Sequence, residues 1–236
     1  FTYKKLLQFV FPSIIMMIFT SIYSVVDGLF VSNFVGKSAF AAVNLIMPFL
    51  MGISALGFMI GTGGSAIVAK TLGEGKTEKA NEYFSMLVYI TAIGGIIIAI
   101  LSMFLVKPVA ILFGANGALL DNCILYGRIL CISLPAFMLQ NVFQSFFVTA
   151  EKPHLGLRVI VIAGVTNMVL DFLFVAVLHF GLPGAGFATV CGEFIGGLFP
   201  LFYFGRKNSS LLKLRKTHFH GKILLKTCTN GSSELM

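Results

Sequence analysis

Charge is what this sequence has least of. Only 11% of its 236 residues are Asp, Glu, Lys or Arg, and nine are acidic. A soluble domain of this size would carry about a quarter charged residues. That class is excluded, and a mean hydropathy of +0.95 points to a chain whose solvent is lipid. The four cysteines, Cys123, Cys131, Cys191 and Cys228, show no CxxC or Cys/His metal spacing. No disulfide or metal site follows from them, and the first three, set in apolar runs, are expected to be buried as small apolar side chains. No Ser/His/Asp or Cys/His arrangement falls at matched depth, so the chain is not read as an enzyme and no cofactor is implied. "GTGGSA" at 61–66 lacks the Lys-Ser/Thr of a phosphate loop. It sits inside an apolar run, where small residues serve close helix packing. His218 and His220 lie in a basic terminal segment and read as solvated. The apolar stretch from Leu6 to Val26 has no small-residue cleavage site and is too long for a signal peptide core. It reads as a first transmembrane helix. The sequence starts at Phe1 rather than Met, and a native start upstream is expected.

What the sequence does have is six apolar runs, each near the roughly 20 residues that span a bilayer. They cover about 7–34, 45–69, 83–106, 122–149, 157–179 and 184–205. Breaks such as "GKSAFAA", "KTLGEGKTEKANE" and "AEKPHLGLR" carry the Gly, Pro, Asn and charge of loops. The expected fold class is all-α, a six-helix transmembrane lobe over 1–205. A basic, partly amphipathic cytoplasmic segment follows over 206–236. With the N-terminus inside, fourteen of the 17 Lys and Arg residues fall on the inner side. Lys37, Lys107 and Arg128 are the outer remainder. Cytoplasmic loops accumulate such residues, so both ends are expected in the cytoplasm. The same distribution explains the net charge of +8 without nucleic acid.

Three acids fall within the runs: Asp27, Asp171 and Glu193. A charge at mid-membrane costs about 2.5–3.5 kcal/mol on insertion scales, and such residues usually face a bundle interior or a wet cavity. At about 1.5 Å per residue, Asp171 lies about 20 Å outward from Arg158, and Glu193 about 14 Å below the outer end of the sixth run. The two aspartates therefore belong to the outer half and Glu193 near the middle. Asp27 also fits an interfacial acid, Asp171 a structural hydrogen-bonding role, and Glu193 a neutral packing residue. Asn167 precedes Asp171 by four residues, which puts both on one helix face. A carboxylate beside an amide can take up a proton or a small hard cation. Gln140, Asn141 and Gln144 form a polar patch on the fourth run, and Pro48, Pro135 and Pro200 can kink their helices. Many of the Phe and Met residues are expected to face lipid or core, and some to line an adaptable pocket.

Several stretches, taken in order, resemble the multidrug and toxic compound extrusion (MATE) family. They are "YSVVDGLFVSNFVG", "AAVNLIMPF", "GTGGSAIVAKTLGEGKTEKA", "FVTAEKP" and "GLPGAGFAT". The Leu-Gly-x-Gly-x4-Ala core at the inner end of the second run is the most specific. The resemblance implies a twelve-helix transporter of two lobes, of which this chain supplies the first. "TNGSSELM" then looks like the opening of a seventh helix. It implies cation-coupled export of small, cationic or amphipathic drugs at the plasma membrane, with H+ or Na+ as coupling ion. It also implies a coupling site at Asp27, Asp171, Asn167 and Thr189, with Asn141 a looser match. Na+ there would be the one metal ion the reading admits. Glu193 has no counterpart in that pattern. A lipid-linked substrate flippase of the same superfamily, or a non-transporting fragment, are the rival expectations. A flippase would need a cationic cavity. The lobe alone is expected to insert without exporting.

Overall fold

In the computed structural model, which describes residues 3–232, the chain is helical with no strand among the described residues. The helices are α1 (Tyr3–Phe30), α2 (Lys37–Gly73), α3 (Thr77–Leu112), α4 (Gly117–Thr149), α5 (Pro153–Asp171), α6 (Gly181–Gly205) and α7 (Gly221–Gly231). α1 and α5 each continue into a π-helical segment, Val31–Val35 and Phe172–Val177. Six helices, with these extensions, are long and apolar enough to cross a membrane. The chain is a multi-pass membrane protein.

The helices outrun the apolar runs. α2 has 37 residues, about 55 Å at the α-helical rise, against a hydrocarbon core of about 30 Å. Polar residues at the run ends stay helical, which shortens the loops. The break after α2 closes at Gly75, whose φ of +77° is left-handed and suits glycine. Pro48, Pro135 and Pro200 lie inside continuous helices.

α4 is the core of the bundle. In its most apolar window 61% of residues are buried, against 18–39% in the other five. It packs on α2, α3 and α6, while α5 lies between α1 and α6. α1 turns Ile14, Ile18, Ile22, Val25 and Leu29 outward at helical spacing, and α3 does the same with Ile93, Ile97, Ile100 and Phe104. In lipid, exposure of such a stripe is no liability. Cys123 and Cys131 are buried as expected, but Cys191 is exposed. Apolar neighbours within a span signal lipid as readily as protein, which is why its sequence context misleads.

At the end of the bundle where α3 begins and α6 finishes, Phe84, Phe143, Phe146 and Phe204 interlock, the Phe143 and Phe204 rings stacked at 5.7 Å. The segment after α6 is no loose tether. Leu212 is fully buried in this aromatic cluster. The Lys213 N–H donates to Asn81 Oδ1 at 2.7 Å, and the Arg215 N–H donates to Ser85 Oγ at 2.8 Å. Thr217 Oγ1 donates to the Glu82 carbonyl at 2.9 Å. The chain is thereby strapped along the first turns of α3. A short helix, α7, covers Gly221–Gly231 and so runs into "TNGSSELM", whose last four residues lie outside the described ones. α7 crosses α2 antiparallel, Thr227 against Gly63 and Gly231 against Met59. The glycines of "GTGGSA" serve packing: Gly61 meets α4, Gly63 meets α7 and Gly64 meets α3.

Candidate functional site

α1 and α5 lie side by side, and their π-helical extensions touch. Each carries its acid at the junction. Asp27 stands three residues before the end of α1 and Asp171 is the last residue of α5. π-helical turns occur mostly as local features at functional sites. Here they cap the two acid-bearing helices on one side.

The structure brings both aspartates together. Asp171 is 0% exposed, Asn167 4% and Asp27 7%. The two carboxyl groups lie near enough to act on each other electrostatically. Among the described residues, neither Asp171 oxygen has a hydrogen-bond donor, and the same holds for Asp27 Oδ1 and Asn167 Oδ1. Buried carboxylates are normally partnered, and two adjacent anions cannot stay bare. An arrangement of this kind can take up a shared proton or a small hard cation through oxygen ligands. Asn167 Nδ2 donates to Thr189 Oγ1 at 3.4 Å, and Thr189 Oγ1 donates to the Ala185 carbonyl at 3.1 Å. That contact turns the amide so that its oxygen is left for the site.

Tyr126 was not expected there. It is fully buried on α4, its hydroxyl has no hydrogen-bond partner among the described residues, and Thr189, Asp27 and Asp171 are near it. A tyrosine in an apolar span carries no local signal of such a position. Asn141 is placed differently. Its Nδ2 donates to the Ser54 carbonyl at 3.2 Å, so its amide is committed to α2 rather than to the aspartates.

Asp27, Asn167 and Thr189 open onto a cavity of about 1010 Å³ between α1, α2, α4, α5 and α6. Its walls are largely apolar, with Met47, Met51, Phe58 and Phe137, and Asn141, Gln140 and Gln144 add amides. Glu193 lies on this wall too, with Ser133 Oγ at 2.5 Å from its Oε2. Among the described lining residues the charged side chains are Asp27 and Glu193, with no Lys or Arg. Among the described residues, no three His, Cys, Asp or Glu side chains gather as a metal cluster.

The MatE family model matches residues 12–173. The multidrug export protein MepA of Staphylococcus haemolyticus is 26% identical over 209 residues, covering 89% of this chain and 46% of that protein. The probable multidrug resistance protein YpnP of Bacillus subtilis is 26% identical over 217 residues, covering 85% of this chain and 45% of that protein. The chain thus spans about half the length of these relatives. Among solved structures, an outward-facing multidrug resistance MATE transporter of the MOP superfamily superposes with a TM-score of 0.89 at 25% identity, covering 97% of this chain and 52% of that one. A MOP superfamily transporter of Pyrococcus furiosus, described as having a binding pocket of reverse polarity that suggests a different function, gives 0.89 at 25% identity, over 97% of this chain and 51% of that one. The overlap on half of each solved chain is that of one lobe. With the family model spanning most of its length, the chain belongs to the MatE family, the multidrug and toxic compound extrusion transporters.

Proposed function

We propose that this chain is the first lobe of an exporter that moves cationic or amphipathic drugs outward in exchange for H+ or Na+. The plasma membrane would be its site, with both described ends in the cytoplasm. One observation carries the reading: among the described residues, a buried carboxylate pair lacks donors and meets, through Asp27, an apolar cavity with no basic lining residue. The pair needs a positive partner, and the cavity suits a positive or neutral organic molecule. Asp27, Asp171 and Asn167 would hold the coupling ion, with Thr189 and Tyr126 completing the oxygen shell. A second lobe would close the cavity.

Coupling requires that ion and drug favour opposite arrangements of the lobe, each through differential affinity. Loading the aspartate pair neutralises it, and releasing the ion restores a charge that must be shielded or moved. The flippase alternative is disfavoured by the same lining, because phosphate recognition calls for Arg or Lys.

The test is Asp171→Asn in the complete transporter. The amide keeps the volume and loses the charge, so insertion should persist while ion-driven drug export falls to background. Unchanged drug resistance, at equal membrane abundance, would falsify the coupling role.

A further inference from the structure

Glu193 is left over by the coupling site. It lies on α6 four residues after Thr189, and so on the same helix face one turn further in. Its neighbours differ from those of the aspartates. Thr189 reaches α5 through Asn167, whereas Glu193 reaches α4 through Ser133. α6 comes close enough to α4 for this because Gly196 and Gly197 lie against Gln140 and Ala136, where a Cβ would collide. The carboxyl is thus seated by packing as well as by a hydrogen bond.

We propose that Glu193 is the side chain of this lobe that receives the positive charge of an exported organic cation, with Ser133 as its positioning residue. The proposal rests on the cation-export reading above and names the residue that would select for charge. Three observations support it. Glu193 faces the cavity. It is half-buried, whereas Asp171 behind the wall is fully enclosed. Asp27, the other lining acid, already adjoins Asp171, so it is committed elsewhere.

The seat accommodates both charge states. Ser133 Oγ lies 2.5 Å from Glu193 Oε2 and 3.2 Å from the Leu130 carbonyl. A hydroxyl has one proton to give. With Glu193 ionised, Ser133 donates to it. With Glu193 protonated, the carboxyl O–H donates to Ser133, and Ser133 donates to Leu130. Seating a permanent cation on the protonated form breaks the carboxyl O–H bond. The electron pair stays on the oxygen, and the proton leaves to the buffer. Cation binding therefore strengthens as pH rises and the carboxyl ionises.

The groups facing Glu193 would act in the same direction or not at all. α1 brings Asp27 and the Tyr23 hydroxyl, and α4 brings Tyr126, Ser133 and Gln140. α5 brings Asn167, with Asp171 behind it, and the described α2 lining has no titratable side chain. Proton loss from Asp27 or Asp171 would also favour a cation, so a pH slope by itself assigns nothing and the variant has to remove it.

The experiment is equilibrium binding of tetraphenylphosphonium, which cannot titrate, to the complete transporter, this lobe with its second lobe, in lipid nanodiscs across pH. Wild type should bind more tightly as pH rises. Glu193→Gln should weaken binding by about tenfold or more at high pH, as loss of a partly desolvated charge pair does, and should lose most of the slope. Glu193→Asp should recover part of the affinity, and Ser133→Ala should move the midpoint of the slope. Cys191→Ser, exposed and outside the cavity wall, should match wild type. Wild-type affinity and slope in Glu193→Gln overturn the proposal and leave the cation-export reading standing. If wild type ignores tetraphenylphosphonium, or prefers tetraphenylborate, that reading and the proposal fall together. Should Glu193→Gln not fold by thermal melting, a flat wild-type pH profile or an unmoved midpoint in Ser133→Ala overturns the proposal instead.

Discussion

Tyr126 buries a hydroxyl that, among the described residues, meets no hydrogen-bond geometry and has Thr189 as its near polar neighbour. A buried polar group without a partner is a cost of about 1–3 kcal/mol, so its presence asks for a partner from outside the chain. Tyr126→Phe removes the hydroxyl and keeps the ring. The variant should melt within a few degrees of wild type, because no protein hydrogen bond is lost. In the complete transporter, half-saturation by the coupling ion should shift about fivefold, the worth of a ~1 kcal/mol hydrogen bond. An unchanged ion dependence with a large drop in melting temperature would make the hydroxyl structural instead. Asp27, Asn167 and Asp171 stood out from the sequence because acids and amides contrast with an apolar run, and the spacing from Asn167 to Asp171 gave their common face. Tyr126 and the Glu193–Ser133 contact did not stand out. The first is ordinary in a membrane span, and the second joins residues sixty positions apart.

The strap after α6 is an element that composition alone describes poorly. Its basic residues suggest a solvated tether, yet its backbone N–H groups are claimed by side chains of α3. Asn81 is 3% exposed and holds Lys213 through its carbonyl oxygen. Asn81→Ala leaves that N–H without a partner, at a cost of about 1–3 kcal/mol. Amide exchange over 210–220 should then accelerate at least tenfold, while Lys207→Ala, at an exposed position, should leave it unchanged. Equal protection in both variants would show that Leu212 alone fixes the strap. The six long helices, by contrast, were legible as apolar runs because lipid demands them. Their ends were not, since polar residues at the interface cost little whether they are coiled or helical. The π-helical segments were equally hidden: Val31–Val35 and Phe172–Val177 read as ordinary helix, and only neighbouring helices decide such a turn.

At the scale of the whole molecule, orientation is set by charges rather than by packing. Lys37 opens α2 at one end of the bundle, and Lys76 stands just beyond its other end. From the bias of basic residues we propose that Lys76 lies on the inner side. Single cysteines at these positions, in a background lacking the native thiols, should react with an impermeant reagent at 37 and not at 76 in intact cells. The reverse pattern would invert the lobe and move the carboxylate pair to the inner half. The bundle is built for such a one-way placement. Ile and Leu side chains face outward along α1 and α3, and Asp27, Ser54, Gln140, Asn141 and Asn167 are buried polar residues on the cavity wall.

The crossing of α2 and α7 has a consequence for descent. A methyl at Gly63 would fall on the Thr227 carbonyl, and one at Gly231 on the Met59 carbonyl. Both collisions are with main chain, which no neighbouring substitution can trim away. A lineage cannot trade a larger residue at 63 for a smaller one at 231. Each position is constrained separately, and across relatives the two should stay glycine without covarying. Gly64 is under a different rule, because its obstacles are the side chains of Leu87 and Phe146. There, Ala at 64 can be matched by a shorter residue at 87, and compensated pairs should turn up. Adjacent glycines in one short motif would thus record two histories, one of fixed backbone and one of negotiable volume.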